Sequence, residues 1–463
     1  MQSSNDHSFD LNYTRCVEQL KSALRELGGV IDEAQVAQTA ELIIQTMTGV
    51  WRFFHTPEHI FDVGRSGDAI EVLAALFHDA IHIQADNGVS VNVGQIVAPF
   101  VRESDKSLRI LQGSQLPHDS IFDLVCVIFC FGPGQVLHPL HGQNEFLSAV
   151  VAAKSMEGLL PLGPIAEICA CIESTIPFRY RPGDAAPPCR KLRERLEDAN
   201  SRFGLGWDIG HLDMAVRRAV RLANRDVENF AHESSAEFLN NTWNLMPETN
   251  HDLRGAYSYT VSGYRKSLQK MEAFMCGLNA ESVFQQYQDE PRPRIYVAML
   301  ERTRQNLDVA RLYLGSKMLS IAIVEAISLR VGAEVPLATM MGELPQRGTP
   351  DAQMESFLPV PQLGVPPRTP LEQEVLDLLE KGRSQHSNYD VKHSPVATFV
   401  VKSLGFARSA ELLEQAREFF AGNIQGEEFL AACEPDIVGA IVNAVYCVFD
   451  LRQRALRKLP VHG

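Results

Sequence analysis

The sequence lacks long hydrophobic runs, paired cysteine motifs and an excess of positive charge. Its longest apolar stretches, residues 121–131 and 318–329, are too short for a bilayer or contain a charge, so no transmembrane segment is predicted. The N-terminal residues are polar and acidic, unlike a secretory signal peptide. Nine scattered cysteines without CxxC spacing indicate reduced thiols and give no sign of a zinc site. We therefore expect a cytoplasmic protein.

Acidic residues outnumber basic ones, 57 to 43, which gives a net charge of -14. A surface this acidic repels polyanions on average, so we expect neither a nucleic-acid partner nor an anionic membrane partner. An anionic small substrate would need a local cation, either a metal or an arginine cluster. With 463 residues, 45% of them hydrophobic, the chain is long and apolar enough for two or three globular domains.

Helical periodicity dominates the chain, and alternating strand-like segments are scarce. Apolar residues recur at three- and four-residue intervals from 13–27 to 437–456, which predicts an all-α fold, a helical bundle with an additional C-terminal helical region. Seven prolines in 343–370 predict a linker between a helical extension (291–342) and that C-terminal region (371–463). The C-terminal region could bind a protein partner or a second copy of the chain.

Histidines are concentrated in residues 51–84, which hold His55, His59, His78 and His82 among 14 in the whole chain. Imidazoles and carboxylates at this density are typical of sites for a divalent metal. The sequence Thr56-Pro57-Glu58 predicts a helix start, which places His59 inside a helix and His55 just before it. A helix predicted over 71–82 would place His78 and His82 on one face, one turn apart.

The dipeptide His-Asp occurs three times, and its context differs each time. In His118-Asp119 the aspartate precedes an apolar run and is best interpreted as a helix N-cap. His251-Asp252 follows a turn-like sequence. Only His78-Asp79 lies at the end of a strongly apolar helix, where burying both side chains is costly unless a partner such as a metal satisfies them.

These residues resemble the HD-domain superfamily of metal-dependent phosphohydrolases. The resemblance rests on Phe54-His55-Thr56-Pro57-Glu58-His59, on the run ending in His78-Asp79, and on the family pattern H…HD…D. The best match to the final aspartate is Asp226, which a helix is expected to carry. The resemblance covers about residues 40–275, within a domain predicted to span 1–290 with an insertion at about 85–140.

The resemblance implies a role for each matching residue. Four side chains would bind a divalent metal (Mg, Mn, Fe, Co or Ni): His59, His78, Asp79 and Asp226. Asp213 and Asp252 stay open as alternatives to Asp226. Asp79 would bridge metals or orient the nucleophilic water, and His55 and His82 would bind a second metal or protonate the leaving oxygen. The substrate would contact five further residues: Arg52, Glu145, Thr175, Arg179 and Arg181.

The function implied is hydrolysis of a phosphoester of a small, for example nucleotide-like, substrate by a metal-activated water. Two alternatives stay open at this point. One is a catalytically inert HD-type protein that binds a ligand or regulates a partner. The other is a di-iron oxygenase in which His55 and His82 supply the extra ligands.

Overall fold

The computed structural model describes residues 2–104, 107–180, 184–254, 259–342, 353–361 and 364–457. These residues are mostly helical, with twenty α-helices and three short strands, which confirms the predicted all-α class. None of the helices in these ranges combines the length and the apolar character needed to cross a membrane. The chain forms two compact units, Met1–Ala231 with Asn279–Arg302, and His232–Leu278 with Thr303–Gly463. This division differs from the boundary predicted at 290.

The first unit contains α1–α11, β1–β3, α14 and the start of α15. Its helices are α1 (Gln2–Glu26), α2 (Glu33–Met47), α3 (Pro57–Gly64), α4 (Ala69–Phe77), α5 (Ile83–Asp86), α6 (Val91–Val97), α7 (Ser120–Phe129), α8 (Gln143–Met156), α9 (Leu162–Ser174), α10 (Pro188–Phe203), α11 (Ile209–Asp226) and α14 (Ala280–Val283). Helix α15 (Pro293–Ser328) is divided between the units at Arg302.

Helix α9 is the centre of the first unit. It packs against α4, α7, α8, α10 and α11, and every residue from Ile165 to Ser174 is buried. Burial on all sides extends to Glu167 and Glu173, whose carboxylates pair with arginines of neighbouring segments, Arg218 for the first and Arg195 for the second. The surrounding helices therefore enclose α9 and are held at fixed positions around it.

The predicted insertion at 85–140 contains the only strands in the described part of the chain. β1 (Val101–Ser104), β2 (Ser107–Ile110) and β3 (Val136–Leu137) form an antiparallel sheet in that order, with Val101 opposite Ile110 and Leu108 opposite Leu137. Helix α7 follows the second strand, and Asp119 caps it by accepting hydrogen bonds from the backbone of residues 121 and 122. The predicted N-cap role of Asp119 is confirmed.

Helix α4 is shorter than the sequence predicts. Asp68 and Glu71 form a capping box that starts it, and it ends at Phe77 with His78 at the C-cap, whereas the prediction continued to residue 82. Beyond Phe77, side chains from other segments form hydrogen bonds with backbone groups that a longer helix would have paired internally. Arg52 Nη1 donates to the Asp79 carbonyl at 3.0 Å, and the Ile81 N–H donates to Ser148 Oγ at 3.0 Å.

The early end of α4 separates His78 from His82. His82 instead caps the short helix α5, where its Nδ1 accepts a hydrogen bond from the Ala85 N–H at 3.1 Å. The prediction that His78 and His82 share one helix face is therefore wrong.

The second unit contains the remainder of α15 and the helices around it: α12 (Ser235–Thr249), α13 (Val261–Gly277), α16 (Leu337–Met341), α17 (Pro370–Lys381), α18 (Pro395–Ala421), α19 (Gly426–Ala432) and α20 (Pro435–Arg457). In the predicted linker, residues 343–352 and 362–363 lie outside the described residues, and Met354–Phe357 form one 3₁₀ turn. The loop between α17 and α18 carries Tyr389 and Asp390, both enclosed in this unit.

Candidate metal centre

His59, His78, Asp79 and Asp226 form a cluster of candidate metal ligands, called the metal centre below. Its two histidines come from the start of α3 and the end of α4. Pro57 at the first position of α3 places His59 in the first turn, as predicted. His78 stands at the C-cap of α4, and its Nδ1 lies 2.8 Å from the carbonyl of Ala75. Because a carbonyl only accepts, Nδ1 carries the proton and the Nε2 lone pair of His78 points to the centre.

Two aspartates complete the group. Asp226 is the last residue of α11, and its Oδ1 lies 3.2 Å from Nε2 of both His59 and His78. Asp79 Oδ2 lies 2.9 Å from His78 Nε2 and 3.4 Å from His59 Nε2. All four ligand atoms lie within 4.8 Å of one another. The structure therefore brings together the four residues that the sequence predicted as metal ligands.

Neither alternative to Asp226 belongs to this group of four ligands. Asp213 accepts hydrogen bonds from Arg193 Nε at 3.0 Å and from the Tyr287 hydroxyl at 2.7 Å. Asp252 belongs to the second unit, in the 3₁₀ turn His251–Arg254. Of the two aspartates in the first unit, Asp213 and Asp226, only Asp226 contacts the two histidines.

The charges of the four residues shift one another's pKa values. Burial would lower the pKa of His59, but its contacts with Asp226 and Asp79 outweigh burial and raise that pKa to about 9. Burial likewise opposes the charge of Asp226, yet His78 and His59 lower its pKa to about 2. The two carboxylates are therefore ionised at neutral pH, and in the metal-free protein they face two protonated imidazoles, whose protons a bound cation would displace.

This donor set fits a divalent cation. Two imidazole nitrogens and two carboxylates are suitable ligands for Mn, Fe, Co or Ni, and the carboxylates also suit Mg. Asp79 Oδ2 is buried and accepts no hydrogen bond of good geometry from any described residue. Its nearest partners are the imidazoles of His78 and His59, and a bound cation would satisfy this oxygen better than these poorly aligned contacts do. The side chains of His59, Asp79 and Asp226 keep 12 to 16% exposure, so the centre is open to solvent.

His55 and His82 lie beside this centre. His55 Nε2 is 3.9 Å from Asp79 Oδ2, and the ring centroids of His55 and His82 are 4.6 Å apart. Phe54 packs between the histidines, with ring centroids 5.0 Å from His55 and 4.9 Å from His59. The motif of residues 54–59 thus brings both of its histidines close to Asp79, although His59 lies in α3 and His55 lies before it.

Arg52 stabilises the backbone of the centre, and its guanidinium is not available to bind a substrate. Its side chain is fully buried and forms a bidentate pair with Asp86, at 2.8 and 2.6 Å. Its third bond, to the Asp79 carbonyl, fixes the backbone of a predicted ligand. Every nitrogen of the guanidinium is engaged inside the protein, so its placement differs from that expected of a phosphate clamp.

The other predicted substrate contacts differ in whether their polar atoms already have hydrogen-bond partners within the protein. Arg179 pairs with Glu173 at 2.6 Å, and the Thr175 hydroxyl donates to the Ile172 carbonyl at 2.8 Å. Arg181 lies outside the described residues. Glu145 is the exception, because its buried Oε2 accepts no hydrogen bond in the described part of the chain.

Glu145 is electrostatically coupled to the metal centre. Burial raises its pKa to about 7, the negative charges of Asp79 and Asp226 add to the rise, and Arg179 and the backbone oppose it. The carboxyl group lies in the first turn of α8, which starts after Gly142 at φ +85°. A Cβ at Gly142 would overlap the side chain of Ile176, so glycine allows α8 to start here.

One arginine, Arg225, and one glutamate, Glu71, hold the centre together and are not apparent from the motif. Arg225, beside Asp226, donates through Nε to the Val63 carbonyl of α3 at 2.6 Å and through Nη1 to Glu71 of α4 at 3.2 Å. It therefore connects the three helices that carry the ligands. The Asp68-x-x-Glu71 capping box was the available signal for Glu71, and the position of Arg225 next to Asp226 was the signal for Arg225.

No protein-family model, no curated protein and no solved structure matches this chain. Membership of the HD-domain superfamily therefore stays a prediction from the motif residues.

Proposed function

We propose that this chain is a metal-dependent phosphohydrolase of HD-domain type that acts on a small phosphoester. The observation that carries the proposal is the convergence of His59, His78, Asp79 and Asp226, with a buried Asp79 oxygen that accepts no hydrogen bond. A protein that only needed a stable core would not have to retain two carboxylates against two imidazoles at such a position. The 12 to 16% exposure of the His59, Asp79 and Asp226 side chains also favours a site that a small reactant can reach.

The four residues would hold a divalent cation of the Mg, Mn, Fe, Co or Ni class. Such a cation, when bound, lowers the pKa of a water molecule and polarises a phosphoryl oxygen. The chain's own contribution is to fix the donors: Ala75 sets the tautomer of His78, and Arg52 fixes the backbone of Asp79.

Within this proposal, proton transfer is assigned to Glu145 and His55. Glu145, with a pKa raised to about 7 by burial, is protonated in part at neutral pH and would donate the proton from Oε2 to the leaving oxygen. His55, whose Nε2 lies 3.9 Å from Asp79 Oδ2, would orient the attacking water together with that carboxylate. Arg179 faces Glu173, so it would supply positive potential rather than a free guanidinium.

The test is metal analysis combined with a phosphoester screen on the whole chain. We expect metal to co-purify or bind at about one equivalent or more, and turnover of at least one phosphoester with one of the five metals. Asp79→Asn should abolish both metal binding and turnover. Asp119→Asn is the matched control, because Asp119 belongs to another His-Asp dipeptide and caps α7 outside the centre.

Two results would overturn the proposal. If wild-type protein binds none of these metals, the centre is structural and the inert ligand-binding alternative is favoured. If Asp79→Asn retains full turnover, the activity belongs to another site.

A second candidate, di-iron oxygenation, is favoured by one specific observation. His55 and His82 lie together beside Asp79, with ring centroids 4.6 Å apart, and they would provide imidazole ligands for a second cation that shares the Asp79 carboxylate. Two iron atoms per chain after anaerobic purification, with substrate-dependent oxygen consumption, would support this candidate. Iron-free protein that is active with Mg or Mn would exclude it.

A further inference from the structure

Asp390 is the focus of a buried polar cluster in the second unit. Three donors converge on its Oδ2: Trp243 Nε1 at 2.8 Å, the Tyr264 hydroxyl at 2.8 Å and Lys317 Nζ at 3.1 Å. The carboxylate lies in the loop between α17 and α18, and Lys317 comes from α15. One oxygen of a single aspartate therefore fixes side chains from three helices.

The cluster holds more positive than negative charge. Arg383 is the second cation, with Nη1 3.7 Å from Asp390 Oδ2 and its Cζ 4.2 Å above the Trp243 ring. Its side chain has no exposed surface, and Lys317 is 6% exposed. Among the described residues, neither cation forms an ion pair with a second carboxylate. A buried surplus of one positive charge is costly without an anion beside it.

One further carboxylate, Glu355, lines a cavity that borders this cluster and is already engaged. Glu355 pairs with His393 at 2.8 Å, and this contact lowers the pKa of Glu355, with burial acting against it. Glu355 forms no ion pair with Lys317 or Arg383 in the described part of the chain, so Asp390 stays the carboxylate that these two cations share.

Two cavities, of about 60 and 70 Å³, border the cluster. They share five wall residues, of which four are apolar: Leu337, Met341, Asp390, Val391 and Pro395. Lys317 lines the 60 Å³ cavity, together with apolar α15 residues. Its Nζ donates one hydrogen bond to the described residues and lies 5.1 Å from the ring centroid of Trp243 and 5.7 Å from that of Tyr264, so a hydrogen bond to a ligand would add to these contacts. A space of this size holds about four to six non-hydrogen atoms.

We propose that the 60 Å³ cavity is a binding site for a small organic carboxylate with a short apolar chain. The carboxylate group would accept hydrogen bonds from Lys317 Nζ and neutralise the surplus charge, and the chain would pack against Met341, Leu337 and Ile321. Phosphate fits less well, because a dianion with several acceptor oxygens would meet one ammonium and a mostly apolar wall. The proposal concerns the second unit alone and does not depend on the metal centre.

The experiment uses the full chain and isobutyrate as the probe. We expect saturable binding by calorimetry and a rise in the melting temperature, with no effect of the neutral isostere isobutyramide. Lys317→Met should weaken isobutyrate binding by at least about tenfold. Lys381→Met is the matched control, because Lys381 lies on the surface of α17 with 72% exposure.

A second variant tests the cavity without removing a charge. Met341→Trp should fill the space and abolish isobutyrate binding while the Lys317–Asp390 pair stays intact, so it decides the question even if Lys317→Met does not fold. Equal binding of isobutyramide, preferential binding of inorganic phosphate, unchanged binding to Met341→Trp, or no binding to wild type would each overturn the proposal.

Discussion

Arg225 and Glu71 form a contact that fixes the metal centre without contributing a ligand. Nη1 of Arg225 lies 3.2 Å from Glu71 Oε1, and Glu71 is 1% exposed at the start of α4. Through its bond to the Val63 carbonyl, the same guanidinium also reaches α3. Helices α3, α4 and α11 therefore keep a common position at the point where His59, His78 and Asp226 meet.

Removing this guanidinium should loosen the centre although every ligand stays. For Arg225→Gln we expect about tenfold weaker metal binding, measured by competition with a chelating dye. The loss of unfolding free energy should be about 1–3 kcal/mol, because the buried Glu71 then keeps one arginine partner, Arg221, instead of two. Arg202→Gln, at an exposed position of α10, is the control. Unchanged metal affinity in Arg225→Gln would show that the ligands hold themselves in place.

Two aspartate variants separate the centre from its sequence alternative. Asp226→Asn should lower metal affinity by about a hundredfold, because one of four ligands loses its charge. Asp213→Asn should leave metal affinity unchanged, since Asp213 pairs with Arg193 and Tyr287. Titration of both variants with Mn by paramagnetic resonance checks this. The reverse pattern would assign the final aspartate of the motif to Asp213.

Glu145→Gln tests the assignment of the proton donor. If Glu145 donates the proton, kcat should fall by about a hundredfold with metal affinity unchanged. Because the acid must be protonated and burial raises its pKa, wild-type activity should fall on the alkaline side of the pH profile. The variant should lose this limb of the pH profile. Glu157→Gln, a half-exposed partner of Lys154, provides the matched control.

An identical pH profile in wild type and Glu145→Gln would exclude Glu145 as the acid. His55 would then be the next residue to examine, by the same measurement on His55→Gln.

The metal-free protein should lose stability as the pH rises. The contacts with Asp226 and Asp79 outweigh burial and raise the pKa of His59 from 6.5 to about 9. Stabilisation by the protonated ring is therefore complete below pH 6.5 and is lost as the pH approaches 9. In chelator-treated protein, we expect the free energy of unfolding to fall by up to about 3 kcal/mol across this interval.

Urea unfolding at several pH values measures this dependence. Asp226 has the opposite sign, because its pKa is lowered to about 2 despite burial, and the stability that it gives is lost as the pH falls from about 4 toward 2. His59→Gln should reduce the loss of stability on the alkaline side, and the remaining loss should come from His78, whose pKa is also raised by Asp79 and Asp226 against the effect of burial. Equal slopes for wild type and His59→Gln above pH 6.5 would contradict the assigned pKa of His59.

The sequence predicted the ligands better than their surroundings. Pro57 after Thr56 sets the start of α3, and the apolar run before His78 sets the body of α4, so local rules are sufficient there. The end of α4 depends on Arg52 and Ser148, whose contacts with residues 79 and 81 span long distances in the chain. No local pattern could have shown that His82 leaves the helix.

Arg52 illustrates the same limit for charge. An arginine beside a histidine cluster is a reasonable phosphate ligand by its chemistry, but its partner Asp86 lies in α5, inside the predicted insertion. Only the folded chain shows that the guanidinium is already used. The placement of Asp226 on a helix, in contrast, followed from the periodicity of residues 212–231 together with the motif, although α11 ends at Asp226 rather than at residue 231.

The ligands of the centre are far apart along the chain, with His59 and Asp226 separated by 167 positions. Closing a loop of this length is entropically costly and slow, so α11 must dock before the full set of donors exists. We therefore expect the cation to bind late in folding, when most of the first unit has already formed. During synthesis, a ribosome-bound chain that ends before α11 would have only part of the chelate and would hold such an ion weakly.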